Sequence, residues 1–132
     1  MIQKRDTSLL LNSIENYDEI FNLTNRQLAC KMAEIFEYQG YEVNKNNEFY
    51  NGEFKIESED RSSLVKVVNS NYPVGVDCLR ACASYLKNDE IDDVILIAPL
   101  GTTRSNETEE ILDSYKDKLF VLNLNEIEAL NV

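Results

Sequence analysis

Two short and almost entirely apolar runs constrain the fold of this chain more than any other feature of its sequence. They cover residues 63–68 and 93–98 and are rich in valine, leucine and isoleucine. Such runs lack the alternation of a half-exposed strand, which predicts strands that are covered on both faces. Residues 76–87, which lie between them, carry apolar side chains at helical spacing. A strand, a helix and a second strand in this order predict a β-α-β unit with parallel strands.

Further segments extend this unit into a larger sheet. The other predicted elements are, in chain order, a helix from Thr24 to Gly40 that opens with a Thr24–Gln27 capping box, strands at 41–43 and 49–57, a helix at 105–115, a strand at 119–122 and a short helix at 125–130. The first three strands are expected to form a meander. The order α-β-β-β-α-β-α-β predicts an α/β fold with a mixed central sheet flanked by helices.

The first residues form a separate segment. Residues 7–23 carry apolar side chains at roughly helical spacing, so we divide the chain into an N-terminal helix, residues 1–23, and one domain, residues 24–132. A length of 132 residues suits a single domain. Leu9, Leu10 and Leu11 would serve either core packing or association into a homo-oligomer.

Residue types absent from the chain exclude several kinds of chemistry. The sequence contains no histidine, which excludes histidine general bases, Ser-His and Cys-His nucleophile pairs and histidine-ligated metals. Cys30, Cys78 and Cys82 form no CxxC pair and are odd in number. They predict reduced, partly buried thiols rather than a disulfide framework or a zinc site. The longest apolar run, residues 94–100, is too short to cross a bilayer, and no signal sequence is apparent, so we expect a cytoplasmic protein.

Acidic residues dominate the charge. The net charge is −11, from 24 acidic and 13 basic residues, and the acids gather at 57–60, 89–93 and 107–110 while the bases are scattered. Such a surface repels phosphate backbones and disfavours nucleic acid as a partner. Three interpretations of this surface remain open: it serves solubility alone, it binds a basic protein partner, or it mimics nucleic acid.

Several short motifs occur along the predicted elements. They are Gly40-Tyr41-Glu42-Val43, Tyr72-Pro73-Val74-Gly75-Val76-Asp77, Val94-Ile95-Leu96-Ile97-Ala98, Gly101-Thr102-Thr103, Leu119-Phe120-Val121-Leu122 and Asn125-Glu126-Ile127. In this order and spacing, residues 28–130 resemble the catalytic domain of Mrr-type restriction endonucleases, members of the PD-(D/E)xK nuclease superfamily. The resemblance implies a restriction-endonuclease-like core and a role in restriction, defence or mobile-element biology.

The nuclease chemistry of that superfamily requires two or three carboxylates around a divalent metal, and a lysine two residues beyond one of them. The resemblance places the metal-binding aspartate at Glu53 and the E-x-K triplet at Lys66-Val67-Val68. Lys66 then replaces the acid, Val68 replaces the lysine, and Ala29 replaces a glutamate of the first helix. We therefore expect a pseudo-nuclease, a non-catalytic module that binds a protein or regulates an assembly, without a cofactor.

Two alternatives remain open. If the hairpin is two residues shorter, Lys66 becomes the catalytic lysine, with Leu64 at the acid position, and Glu53 would be both a catalytic residue and the metal ligand. The chain would then be a Mg²⁺-dependent DNA endonuclease with a rearranged site, completed by a carboxylate from Glu34, Glu37 or Glu57. The other alternative is an acidic inhibitor or nucleic-acid mimic that occupies a basic groove.

Overall fold

The computed structural model describes residues 17–45, 49 and 51–130. Its elements are a 3₁₀ helix at Tyr17–Asn22, α1 at Asn25–Tyr38, β1 at Glu42–Asn44, β2 at Glu53–Glu57, β3 at Ser62–Val67, α2 at Val76–Ser84 with a 3₁₀ turn at Tyr85–Lys87, β4 at Asp93–Ile97, α3 at Asn106–Ser114, β5 at Leu119–Leu122 and α4 at Leu124–Ala129. None of the helices in this part of the chain combines the length and apolar character that a bilayer crossing requires.

The strands form one mixed sheet of five strands in the order β1-β2-β3-β4-β5. β1, β2 and β3 pair in antiparallel fashion, whereas β3, β4 and β5 are parallel. The helix α2 connects β3 to β4, as the apolar runs of the sequence predict. The predicted α/β class, the meander and the later parallel strands are thus confirmed.

Alternating side chains divide the sheet into two faces. On β3, Val65 and Val67 belong to a core cluster that contains α1 and part of α4, while Leu64 belongs to a second cluster with α2. Lys66 lies on the Leu64 face, because neighbouring residues of a strand point to opposite faces. The polar residues of β1 and β2 that share this face are Glu42, Asn44, Glu53, Lys55 and Glu57.

Local capping sets the bounds of α1. The Thr24 hydroxyl accepts a hydrogen bond from the Gln27 amide at 3.1 Å, and the Gln27 side chain accepts one from the Thr24 amide at 2.9 Å, which is the predicted capping box. Gly40 follows the helix with a φ of 104°. A left-handed residue at this place is the ordinary end of a helix, so both predicted ends are confirmed.

The predicted strand at 49–57 is wrong in its first part, because β2 begins only at Glu53. Gly52 has a φ of 89°, which an L side chain rarely adopts, and it separates the 3₁₀ conformation of Phe49 and Asn51 from β2. Its carbonyl accepts a hydrogen bond from the Val67 amide at 2.8 Å. A Cβ at Gly52 would lie 3.0 Å from the Val67 carbonyl oxygen. Gly52 therefore allows the chain to approach the end of β3 closely and to enter β2 at Glu53.

The described part of the predicted N-terminal helix is a 3₁₀ helix, Tyr17–Asn22. Ile20 is buried in the first core cluster. The Asn69 side-chain amide donates hydrogen bonds to the carbonyls of Ile20 at 2.6 Å and Leu23 at 2.8 Å. This end of the segment is therefore packed on the domain, while the rest of it, with Leu9 to Leu11, lies outside the described residues.

Candidate functional site

An ion pair between two adjacent strands forms the centre of the candidate site. The antiparallel register of β2 and β3 places Glu53 directly opposite Lys66. The Lys66 ammonium Nζ donates a hydrogen bond to Glu53 Oε1 at 2.8 Å. The Lys66 and Glu53 side chains are 24% and 13% exposed, so the pair is largely shielded from water.

Tyr85, from the 3₁₀ turn that follows α2, completes the group. Its hydroxyl donates a second hydrogen bond to Glu53 Oε1, also at 2.8 Å. The Lys66 ammonium lies 5.6 Å from the centroid of the Tyr85 ring, within the range of a cation–π interaction. We call these three residues, Glu53, Lys66 and Tyr85, the Glu-Lys-Tyr cluster. It joins β2, β3 and the end of α2 through one carboxylate.

The cluster shifts the pKa values of two of its members. Burial by itself would lower the pKa of Lys66, but the hydrogen bond and charge of Glu53 outweigh it, and the pKa of Lys66 is raised. Burial raises the pKa of Tyr85, and its hydrogen bond to Glu53 raises it further. Both groups therefore keep their protons more firmly in the folded chain.

The other positions that the resemblance assigns to nuclease chemistry hold apolar side chains. Ala29 is fully buried in α1, within the cluster on the opposite face of the sheet from Glu53. Leu64 is buried beneath α2, and Val68 packs against the same cluster. None of the three residues can supply a carboxylate or an amine. The structure thus brings Glu53 and Lys66 together, but these three positions contribute no further acid.

The glutamates considered as substitute ligands lie elsewhere. Glu34 and Glu37 are exposed on α1, which covers the other face of the sheet, and Glu37 pairs with Lys45 at 3.4 Å. Glu57 shares the face of Glu53 but stands four residues further along β2, roughly 13 Å away at the usual rise of a strand. No second carboxylate from these positions converges on Glu53.

The residues present do not fit the divalent metal that the resemblance implies. Within residues 17–45, 49 and 51–130, no group of three or more Asp, Glu, Cys or His side chains is placed to hold a metal ion. Glu53 is the one carboxylate of the Glu-Lys-Tyr cluster, and its Oε1 already accepts hydrogen bonds from an ammonium and a phenol. A cation at this oxygen would have to displace Lys66, which carries the same sign of charge.

A second polar feature lies at the opposite end of the sheet, where β3, β4 and β5 begin. The loops 58–61, 88–92 and 115–118 border an open groove of about 530 Å³. Its charged lining consists of Asp60, Asp89, Asp92, Asp117, Arg61 and Lys118. Arg61 donates a hydrogen bond to Asp93 at 2.7 Å, so one of the two cationic side chains of the groove is already paired. We call this feature the acidic groove.

Tyr85 is the member of the cluster that was not predicted from the sequence, although a signal for it exists. Cys78, Cys82 and Tyr85 stand at positions i, i+4 and i+7, so they occupy one stripe of a helix. The apolar side chains whose spacing predicts this helix, Val76, Leu79, Ala83 and Leu86, form the neighbouring stripe. Leu79 and Ala83 are buried. Because α2 docks on β3, both stripes face the sheet. Tyr85 reaches Glu53 as a result of this docking.

The ion pair should show strong energetic coupling in a double-mutant cycle. Either substitution, Glu53→Gln or Lys66→Met, leaves the other charged residue largely buried and without its opposite charge. Each is therefore expected to lower the free energy of unfolding by about 2 kcal/mol. The double variant removes both charges and should be less destabilised than the sum, with a coupling of about 1–2 kcal/mol. Urea denaturation of the four proteins measures it.

The exposed pair Glu37–Lys45 supplies a matched control, because its side chains are 51% and 48% exposed. Coupling in the cycle Glu37→Gln with Lys45→Met is expected to stay below about 0.5 kcal/mol. Equal coupling in the two cycles would show that the Glu53–Lys66 pair contributes no more than a surface pair.

The free energy of unfolding should fall in alkaline solution because Lys66 and Tyr85 lose their protons. One substitution at each residue tests this cause. The folded pKa values of Lys66 and Tyr85 are raised above their ordinary values of 10.5 and 10.0. Their contribution is fully present below those values and is lost as the pH rises through the folded pKa values. The part of the free energy of unfolding that Lys66 and Tyr85 contribute should therefore be constant to about pH 9 and decline above it. The decline should be smaller in Tyr85→Phe and Lys66→Met, and equal slopes in all three proteins would contradict the assignment.

Comparison of the chain with models of protein families, with curated proteins and with solved structures gives no match in any of the three.

Proposed function

We propose that this chain is a non-catalytic protein with a restriction-endonuclease-like core, which acts as a protein-binding or regulatory module in a restriction, defence or mobile-element context. The single observation that carries the proposal is the state of Glu53. Among the described residues its carboxylate belongs to no group of three metal-binding side chains, and its Oε1 accepts hydrogen bonds from Lys66 and Tyr85 at 2.8 Å each.

The fold supports the first half of this proposal. An antiparallel meander, a crossover helix and a parallel fourth strand follow the element order on which the resemblance to the nuclease domain is based. Glu53 on β2 and Lys66 on β3 occupy one face and one end of this sheet. In a nuclease of this type, an acid and a lysine on one strand face serve the same metal and water.

The chemistry of the cluster supports the second half. Mg²⁺ binding by proteins uses one or two carboxylates together with waters and substrate phosphates. At Glu53 one carboxylate is present, an ammonium neutralises it, and the buried Leu64 stands where the shifted alignment places the other acid. Replacing the ammonium by a cation would break a shielded ion pair, at a cost of about 2 kcal/mol. We therefore interpret the cluster as a stabilising contact of the fold rather than as a metal site.

The partner that we propose is a protein with a basic surface, bound at the acidic groove. Asp60, Asp89, Asp92 and Asp117 line this groove, and the chain carries a net charge of −11. Such a surface attracts cationic partners and repels nucleic acid over about 8–10 Å at ordinary ionic strength. An inhibitor that occupies the nucleic-acid groove of a basic protein is one form that this partnership could take.

One observation favours a second candidate, a Mg²⁺-dependent endonuclease with a rearranged site. Lys66, rather than Val68, is the residue that meets Glu53, and this is the pair that the shifted alignment makes catalytic. A substrate phosphate with its metal could in that case separate Glu53 from Lys66 on binding.

A cleavage assay distinguishes the two candidates. The purified protein is incubated with single- and double-stranded DNA and RNA in millimolar Mg²⁺ or Mn²⁺. We expect no more cleavage than with Glu53→Gln, because one ion-paired carboxylate cannot organise the metal. Cleavage that disappears in both Glu53→Gln and Lys66→Met but persists in Glu57→Gln would refute the non-catalytic proposal and establish the endonuclease.

Charge removal at the groove tests the proposed partner. The wild type and Asp60→Asn/Asp89→Asn/Asp117→Asn are used to capture proteins from an extract of the producing cells, at low and high salt. We expect basic proteins that the wild type retains at low salt and the triple variant does not. The control is Glu34→Gln/Glu42→Gln/Glu110→Gln, which removes the same charge from other exposed sites. Equal losses in both triple variants, or no loss in either, would contradict binding at the groove.

A further inference from the structure

The two edge strands of the sheet differ in character. β1 and β5 are the outermost strands in the order β1-β2-β3-β4-β5. β1 is three residues long and exposes Glu42 and Asn44. β5, Leu119–Leu122, consists of four apolar residues and contains neither a charged side chain nor a proline. Charges and prolines are the features by which proteins keep an edge strand from pairing with another chain. The β5 edge lacks both.

The backbone of Val121, at the centre of this edge, is open to a further strand. The carbonyls of Lys118 and Leu122 accept hydrogen bonds from amides of the segment 94–98, at 2.7 and 3.0 Å. Successive residues of a strand direct their backbone groups to opposite sides, so Val121 directs its amide and carbonyl away from β4. Neither of these two groups has a hydrogen-bond partner within the described part of the chain.

The two flanking positions on the same edge are only half satisfied. The Leu119 amide donates a hydrogen bond to the Tyr115 carbonyl at 2.7 Å, whereas no donor among the described residues reaches the Leu119 carbonyl. The Asn123 carbonyl accepts a hydrogen bond from the Ile127 amide at 2.9 Å. The Asn123 amide donates to the exposed Glu126 side chain at 3.3 Å, which is longer than the usual distance of about 3.0 Å, so a well-placed acceptor can replace it.

These groups are complementary to an identical edge in antiparallel orientation. With Val121 opposite Val121 of a second copy, each amide donates to the carbonyl of the other. The next hydrogen-bonding pair of such a ladder joins Leu119 to Asn123 of the second copy. There the open Leu119 carbonyl meets the Asn123 amide, and the two groups that also face each other are those already satisfied within their own chains. An unrelated strand would not match this pattern of open and satisfied groups.

The side chains of the edge fit the same register. Phe120 is 39% exposed and would lie opposite Leu122 of the second copy. This is a non-hydrogen-bonded pair of the ladder, the kind in which side chains approach most closely and in which aromatic and aliphatic residues stabilise a sheet. Pairing would therefore cover one of the large apolar side chains that a single copy exposes.

Charge favours the antiparallel orientation as well. Lys116-Asp117-Lys118 carries a net positive charge and precedes β5, while Glu126 follows it. Antiparallel pairing brings the basic end of one edge beside Glu126 of the second copy, whereas parallel pairing would bring like charges together. It also places the two acidic grooves at opposite ends of the paired strands, because the groove lies where β5 begins.

We propose that the β5 edge is a homodimer interface, in which the β5 strands of two copies pair in antiparallel fashion about Val121 and join two five-stranded sheets into one. The interface is short, so the dimer is expected to exchange with the monomer at micromolar concentrations. The Glu-Lys-Tyr cluster takes no part in it. The proposal therefore goes beyond the proposed function and does not depend on it.

Sedimentation equilibrium of the full chain, from micromolar to millimolar concentrations, tests the assembly. We expect the average mass to rise from 15.2 kDa towards twice that value. Phe120→Lys puts a charge into the apolar pair, and Val121→Pro removes the outward amide, so each should weaken the dimer about tenfold or more. Circular dichroism confirms that the variants are folded, and Phe120→Lys alters a side chain that already reaches solvent.

Tyr72→Lys is the matched control, because Tyr72 is an aromatic residue, 75% exposed, in the loop after β3. We expect it to dimerise like the wild type. The mass of a single chain at every concentration would overturn the proposal, and this is the outcome if the edge is covered by residues 1–16 or by another protein. A dimer that Phe120→Lys weakens no more than Tyr72→Lys does would overturn it equally.

Disulfide cross-linking tests the register. Facing Cα atoms of a hydrogen-bonded antiparallel pair are about 5.5 Å apart, which a disulfide can span. Val121→Cys should therefore form an intermolecular disulfide under mild oxidation, above the background of the wild type with its native cysteines. Phe120→Cys should cross-link less, because its counterpart lies on the diagonal, about 7–8 Å away. A dimer in which Val121→Cys cross-links no better than Phe120→Cys, as expected for association through Leu9 to Leu11, would refute pairing about Val121.

Discussion

The hydrogen-bonded ion pair between Lys66 and Glu53 is the interaction on which the candidate site depends. Each group alone would be an isolated charge in a place largely closed to water, where it would be destabilising. Together, with the Tyr85 hydroxyl as a second donor to the same oxygen, they join two strands and the end of a helix. The two donors that satisfy Oε1 of Glu53 also occupy that oxygen, so the contact that stabilises the fold opposes metal binding there. Stability and the proposed loss of nuclease chemistry therefore have one physical cause.

The molecule separates its polar features at two ends of one sheet. The Glu-Lys-Tyr cluster lies where β2 begins and β3 ends, beside the thiols of α2. The acidic groove lies where β3, β4 and β5 begin and exposes most of its carboxylates to solvent. In the groove four exposed aspartates outnumber two basic side chains, one of which is paired with Asp93, whereas the single carboxylate of the cluster is matched by an ammonium. The groove is for this reason the better place to propose an interaction, and the cluster the better place to test whether catalysis has been lost.

The fold was largely predictable because its signals are local. The apolar runs of β3 and β4, the capping box at Thr24 and the left-handed Gly40 each depend on a few neighbouring residues. Glu53 and Lys66 were also identified, but their pairing was left open because it depends on the length of the β2–β3 hairpin. The structure closes this hairpin with a Glu57–Ser62 pair, which brings Lys66 rather than Val68 opposite Glu53. Tyr85 depends on how α2 docks against the sheet, and the late start of β2 depends on the contact of Gly52 with Val67. Such long-range contacts leave little trace in sequence periodicity.

The most direct test of the central claim locates Mn²⁺ on the folded protein by paramagnetic line broadening in NMR spectra. Acidic surfaces bind this ion weakly, so some broadening is expected in any case. The residues that broaden show whether Mn²⁺ binds at Glu53. We expect resonances to broaden first around the acidic groove, while those of Glu53, Lys66 and Tyr85 remain sharp at the same Mn²⁺ concentration. Selective broadening at these three residues, abolished by Glu53→Gln, would show that the carboxylate is free to bind a metal and would contradict the account.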